Sequence, residues 1–127
     1  VVGSTIATES DDVLYTWAGP EISVASTKAY STQLAVIYLL ALYIGEQLGK
    51  FTQEQLSAYI AALEKLPEQI DEMLKHKENI QFFASKYFNA SDMYFIGRNV
   101  DYAASLEASL KLKEISYIHS CDRRPPL

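Results

Sequence analysis

The chain has 127 residues, 49% of them hydrophobic and 21% charged, enough for one ordinary core and far from the composition of a disordered or fibrous protein. Eleven basic against sixteen acidic residues leave a net charge of −5 with Lys and Arg scattered along the chain, so a nucleic-acid partner is not expected. The single cysteine, Cys121, cannot close an internal disulfide, and no basic-apolar leader opens the chain, so the expected setting is a reducing, cytoplasmic one.

Taken in chain order, Val1–Ser4 is a short apolar piece and Asp12–Trp17 has the β-branched and aromatic content of a strand closed by Ala18-Gly19-Pro20. Both read as strands of a parallel sheet. A helix is predicted from Ser26, capped by Ser26 or Thr27, and runs to Gly45, or to Gly49 if Gly45 is tolerated inside it. Its stretch Leu34–Ile44 has no charge but is only eleven residues long, short of the about 18–20 that span a bilayer, so no membrane partner is expected.

Thr52-Gln-Glu-Gln55 fits a capping box and predicts a second helix carrying Leu56, Ile60 and Leu63. Pro67 suits the first turn of a third helix with Ile70, Met73 and Leu74, and a fourth runs from about Glu78 to Phe88. Asp92–Ile96 then reads as a buried strand, and Gly97–Asp101 as a turn into the helix that carries residues 104–117. Cys121–Leu127, with its two prolines, reads as a tail. With only His76, His119 and Cys121 and no CxxC or HExxH spacing, no metal and no cofactor is expected.

Two places could carry chemistry. The loop from Gly19 to Ala29 opens a helix, and Ser23, Ser26, Thr27 and Lys28 there suit an anionic or polyhydroxylated ligand, although Ser and Thr at such a place are also simple caps. Glu107, Lys111 and Glu114 fall at i, i+4 and i+7, on one helical face between Leu106, Leu110 and Tyr117 on one side and Ala104, Ala108, Leu112 and Ile115 on the other. A charged stripe between apolar walls is half buried, which tunes pKa values for proton transfer. The same Glu107–Lys111 spacing is also that of an ordinary helix-stabilising pair.

Glu21–Leu34 (EISVASTKAYSTQL), Phe95–Arg98 (FIGR) and Leu106–His119 (LEASLKLKEISYIH), in this order, resemble the isomerase half of the glutamine–fructose-6-phosphate aminotransferases, the glucosamine-6-phosphate synthases, over residues 1–120. The resemblance implies a predominantly helical α/β fold of the sugar isomerase (SIS) type, flavodoxin-like with a parallel sheet. Residues 1–50 would be the end of one SIS domain, 51–90 a helical connector, 91–120 the start of a second SIS domain, and 121–127 a divergent tail. It implies Glu114 as the base that moves a proton between C1 and C2, Lys111 as its proton-transfer neighbour and Glu107 as a support for that lysine. By the same resemblance Val24, through its backbone, and Ser26, through its hydroxyl, would touch the sugar, with Thr27 and Lys28 supporting them. The implied partners are fructose 6-phosphate and glucosamine 6-phosphate.

The family's continuation beyond Ile118-His119, with a histidine that serves ring opening, is replaced here by Cys121–Leu127, and its phosphate loop, C-terminal lysine and glutaminase domain have no counterpart. The expectation is therefore a segment inactive alone, with the alternative of a non-catalytic sugar-phosphate-binding module. Uncovered strand edges and helix faces would favour a homodimer or higher self-association.

Overall fold

A computed structural model describes residues 1–123. It is a mostly helical α/β arrangement with a small parallel sheet among the described residues. The chain divides into two compact units, one of residues 1–22 and 26–69, the other of residues 23–25 and 70–127.

In the first unit, the apolar start is not a strand. Helix α1 (Thr5–Glu9) follows at once, and the Ser4 hydroxyl accepts from the Ala7 N–H at 3.4 Å as its cap. Asp12–Trp17 is irregular as well. Among the described residues nothing forms a ladder with this segment, and Trp17 takes a left-handed φ of 55° that ends any extended run. β-branched content favours a pleated surface only where a neighbouring strand supplies the hydrogen bonds, and none does so here.

Helix α2 (Lys28–Gln47) is twenty residues long and keeps Gly45 inside it. Gly45 is buried because the Phe51 ring lies against it: a Cβ there would come within 2.8 Å of Phe51 Cδ2. The helix stops in a Schellman motif, with Gly49 at φ 62° and the N–H groups of Gly49 and Lys50 returning to the carbonyls of Glu46 and Gly45 at 2.9 and 2.8 Å. Helix α3 (Gln53–Glu64) opens with the full capping box: Thr52 Oγ1 accepts from Gln55 N–H at 3.2 Å and Gln55 Oε1 accepts from Thr52 N–H at 3.0 Å. It packs on α2, with Tyr38 and Leu42 facing Tyr59, Ala62 and Leu63 across an apolar cleft. Helices α4 (Leu66–Leu74) and α5 (Lys77–Tyr87) match the third and fourth predicted helices.

The second unit holds the β–α–β element. Strand β1 (Asp92–Ile96), helix α6 (Val100–Ser116) and strand β2 (His119–Arg123) follow one another, and the strands pair in parallel with Asp92 opposite His119 and Ile96 opposite Arg123. Two expectations are corrected here. The helix does not include Tyr117, which adopts a left-handed conformation (φ 59°) and whose N–H closes on the Lys113 carbonyl at 3.2 Å. Nor is the segment from Cys121 wholly a tail, since Cys121–Arg123 belong to β2; residues 124–127 of that expectation lie outside the described residues.

Alternation along the strands sends the register partners Met93 and Ser120 toward α6. Small side chains let the helix come close. Ser109 and Ser120 are 1% exposed and bonded hydroxyl to hydroxyl at 2.8 Å, and the Ser120 hydroxyl also contacts the Ser109 carbonyl oxygen at 2.9 Å. At Gly97 any Cβ would fall on the Asp101 carbonyl oxygen and on Ser105 Oγ, so glycine is needed where β1 turns into α6.

Candidate functional site

Glu107, Lys111 and Glu114 sit on successive turns of α6, and the structure brings all three together. Lys111 Nζ lies 2.7 Å from Glu114 Oε2 and 3.2 Å from Glu107 Oε1. The three side chains keep only 21–27% of their exposure, so the half-buried stripe expected from the spacing is present. Its expected walls are present only in part. Leu106, Leu110, Tyr117, Ala104 and Ile115 are exposed, Tyr117 at 92%, while Ala108 and Leu112 are half-buried; the buried face of α6 is the one bearing Ser105 and Ser109. A helix whose buried positions are serines points its larger apolar side chains elsewhere.

Electrostatics follow from this geometry. The hydrogen bond to Glu114, and then that to Glu107, hold the Lys111 ammonium above its usual value of 10.5 against partial desolvation. Lys111 is therefore a permanent cation at any physiological pH. Each carboxylate gives one oxygen to it and keeps the other, so a carboxylate is fixed in direction without being saturated.

The loop before α2 is organised differently. Thr27 occupies the N-cap position but its hydroxyl makes no capping bond. The cap comes from Glu21, a residue the sequence reading quoted within a motif without giving it a role. Its Oε1 accepts from Thr27 N–H at 3.0 Å, Thr27 Oγ1 at 2.8 Å and Lys28 N–H at 3.0 Å, while its Oε2 accepts from Ser26 Oγ at 3.3 Å. These donors, the Thr27 hydroxyl first, lower the Glu21 pKa to about 2. A Glu shortly before a predicted N-cap was the available signal; reading it required knowing that the loop doubles back over six residues. Val24 is 87% exposed, Ser26 is half-buried, and Thr27 and Lys28 are exposed.

A third polar group lies on the sheet face opposite α6. His119 Nδ1 and Asp92 Oδ1 are 2.7 Å apart, and Cys121 Sγ lies 3.8 Å from His119 Nε2. The Ser91 hydroxyl, then His119, lower the Asp92 pKa. Among the described residues no group of His, Cys, Asp and Glu could hold a metal ion, and no helix is long and apolar enough to cross a membrane.

Residues 1–43 match the family described as SIS domain. Over 120 residues, 94% of the chain, it is 54% identical to the isomerizing glutamine–fructose-6-phosphate aminotransferase of Caldanaerobacter subterraneus and 53% identical to that of Clostridium perfringens, in each case covering 20% of the relative. The chain thus spans about one fifth of the length of the curated relatives it matches. Among solved structures it is similar to the C-terminal domain of the glucosamine-fructose-6-phosphate aminotransferase of Francisella tularensis, with a TM-score of 0.94 and 35% identity over 98% of this chain and 35% of that one.

Proposed function

We propose, on the premise that the chain is homologous to a segment of the SIS-domain family of isomerizing glutamine–fructose-6-phosphate aminotransferases, that it serves the isomerase half of such an enzyme. That half would join ammonia to fructose 6-phosphate and isomerise the product to glucosamine 6-phosphate. Relatives that are enzymes favour this reading over a non-catalytic binding module.

The observation that carries it is the Lys111 ammonium bridging Glu107 and Glu114 on a half-buried helix face. In the proposed step, on the open-chain imine that ammonia forms at C2, the Glu114 carboxylate takes a proton from C1; the C1–H pair becomes a C1–C2 double bond while the C2=N π pair moves onto nitrogen, which takes up a proton. The same group, now a carboxylic acid, returns its proton to C2 as the C1 hydroxyl gives up its own and C1=O forms, so Glu114 ends as it began. Lys111 stays protonated, holds the direction of Glu114 and offsets charge that develops on the substrate. Glu107 anchors Lys111 from the preceding turn. Val24, by its backbone, and Ser26, by its hydroxyl, contact the sugar, with Thr27 and Lys28 supporting that loop.

In domain terms the proposal keeps residues 1–50 and 91–120 as parts of successive SIS domains joined by the helices of 51–90. A cytoplasmic location and self-association belong to it as well. Apolar side chains stand exposed on α2, among them Leu39 at 49%, Tyr43 at 61% and Ile44 at 54%, a surface that a homodimer or larger assembly would cover. Sedimentation at tens of micromolar, on the order of where such surfaces associate, tests this, and a monomer would refute it.

The functional test grafts residues 1–120 in place of the matching segment of the Caldanaerobacter subterraneus enzyme and measures glucosamine 6-phosphate formed from ammonia and fructose 6-phosphate. Turnover is expected from the graft and none from the 127-residue chain alone. A folded graft without turnover overturns the proposal.

A further inference from the structure

The loop before α2 contains a residue that decides which end of a ligand it can accept. A helix N-terminus presents unpaired N–H groups and attracts anions. At α2 those of Thr27 and Lys28 already donate to Glu21 Oε1 at 3.0 Å each, and the carboxylate adds a negative charge beside them. An incoming phosphate would meet that charge and find both donors occupied. The Ser26 hydroxyl is also directed: a serine has one O–H to donate and two lone pairs that accept, and its O–H points at Glu21 Oε2, 3.3 Å away. What Ser26 offers a ligand is therefore an acceptor.

Resting on the sugar-phosphate reading above, we propose that Glu21 is a positioning residue that fixes the Ser26 hydroxyl as a hydrogen-bond acceptor, so that this loop receives a sugar hydroxyl and rejects the phosphate. Glu21 touches no ligand itself. It acts through Ser26 and through the two N–H groups it occupies. Glu21→Gln is the informative substitution, because the amide keeps the size and an accepting oxygen but can donate from Nε2. The Ser26 hydroxyl would then turn outward as a donor, and the helix N-terminus would lose its guarding charge.

Two measurements test this, the first on the 127-residue chain and the second on the graft of residues 1–120 into the Caldanaerobacter subterraneus enzyme. The first needs no ligand: amide hydrogen exchange at Thr27 and Lys28 is expected to accelerate at least tenfold in Glu21→Ala and to stay near the unsubstituted rate in Glu21→Gln. Unchanged protection in Glu21→Ala overturns the positioning role. The second is a double-mutant cycle on the affinity for fructose 6-phosphate and for inorganic phosphate, using Glu21→Gln, Ser26→Ala and both together.

Glu21→Gln is expected to weaken fructose 6-phosphate binding about three- to tenfold, the range of one hydrogen bond, and to strengthen binding of inorganic phosphate. The first effect should vanish in the Ser26→Ala background. An equal loss in both backgrounds would mean a cap only and overturn the proposal. Absence of fructose 6-phosphate binding by the graft with Glu21 and Ser26 in place would refute the sugar-phosphate reading instead, with the exchange rates still deciding whether Glu21 holds the loop.

Discussion

The two charged centres are built on opposite plans. At Glu21 a single carboxylate is surrounded by N–H and O–H donors from three consecutive residues, Ser26, Thr27 and Lys28. At Lys111 a single ammonium stands between two carboxylates on the same helix. The first arrangement uses both carboxylate oxygens on the protein's own backbone and hydroxyls, which makes Glu21 a structural fixture with a strongly lowered pKa. The second uses one oxygen of each carboxylate on Lys111, so the side chains are oriented while the other oxygen can meet a ligand. A carboxylate that must take and return a proton belongs in the second kind of site, which is the physical reason for proposing Glu114 as the base and Glu21 as a positioning residue.

The sharpest way to break this contrast is Glu114→Gln in the grafted enzyme. It removes the base while keeping shape, and glucosamine 6-phosphate formation should fall by about 10²–10⁴-fold. A loss under about threefold would place Glu114 with Glu21 among the fixtures. Gly97→Ala comes next in size. Its Cβ would meet the Asp101 carbonyl and Ser105 Oγ where β1 turns into α6, and equilibrium unfolding should show about 1–3 kcal/mol of destabilisation.

The pH dependences should separate the centres at opposite ends of the scale. Glu21 has a folded pKa of about 2 against its usual 4.5, so its contribution is complete above 4.5 and disappears as pH falls from there toward 2. Lys111 has a folded pKa above 10.5, so its contribution is complete below 10.5 and disappears as pH rises through that higher value. Unfolding midpoints followed with pH should therefore converge with those of Glu21→Gln only in acid and with those of Lys111→Met only in alkali. The smallest effect belongs to Lys75→Ala. Its partner Glu72 and Lys75 itself are 63% and 67% exposed, and removing the pair should change stability by under about 0.5 kcal/mol, the value of an ion pair left in water.

Much of the architecture was legible along the chain because its cause is local. The Thr52–Gln55 box, the length of α2 and the strand–glycine–helix step at Ile96–Val100 depend on neighbours within a few residues, and each forms where the pattern put it. The stripe on α6 was legible for the same reason, since i, i+4 and i+7 meet in any helix. Asp12–Trp17 misled because its composition suits a strand while a strand exists only with a partner. His119–Arg123 misled in the other direction: its polar residues do not look like a strand, yet the edge of β1 supplies its ladder and Ser109 supplies the bond for Ser120.

The sequence by itself determined the helices after α1, the Thr52–Gln55 cap and the sharing of one face by Glu107, Lys111 and Glu114, because backbone propensity and helical spacing act over a turn or two. Only the tertiary structure decided that α6 buries its serines and exposes most of its expected walls, that β2 closes a parallel pair, and that Glu21 holds Ser26, Thr27 and Lys28. Those outcomes depend on segments distant in the chain, or folded back on themselves, coming within hydrogen-bonding reach, and that distance is set by packing.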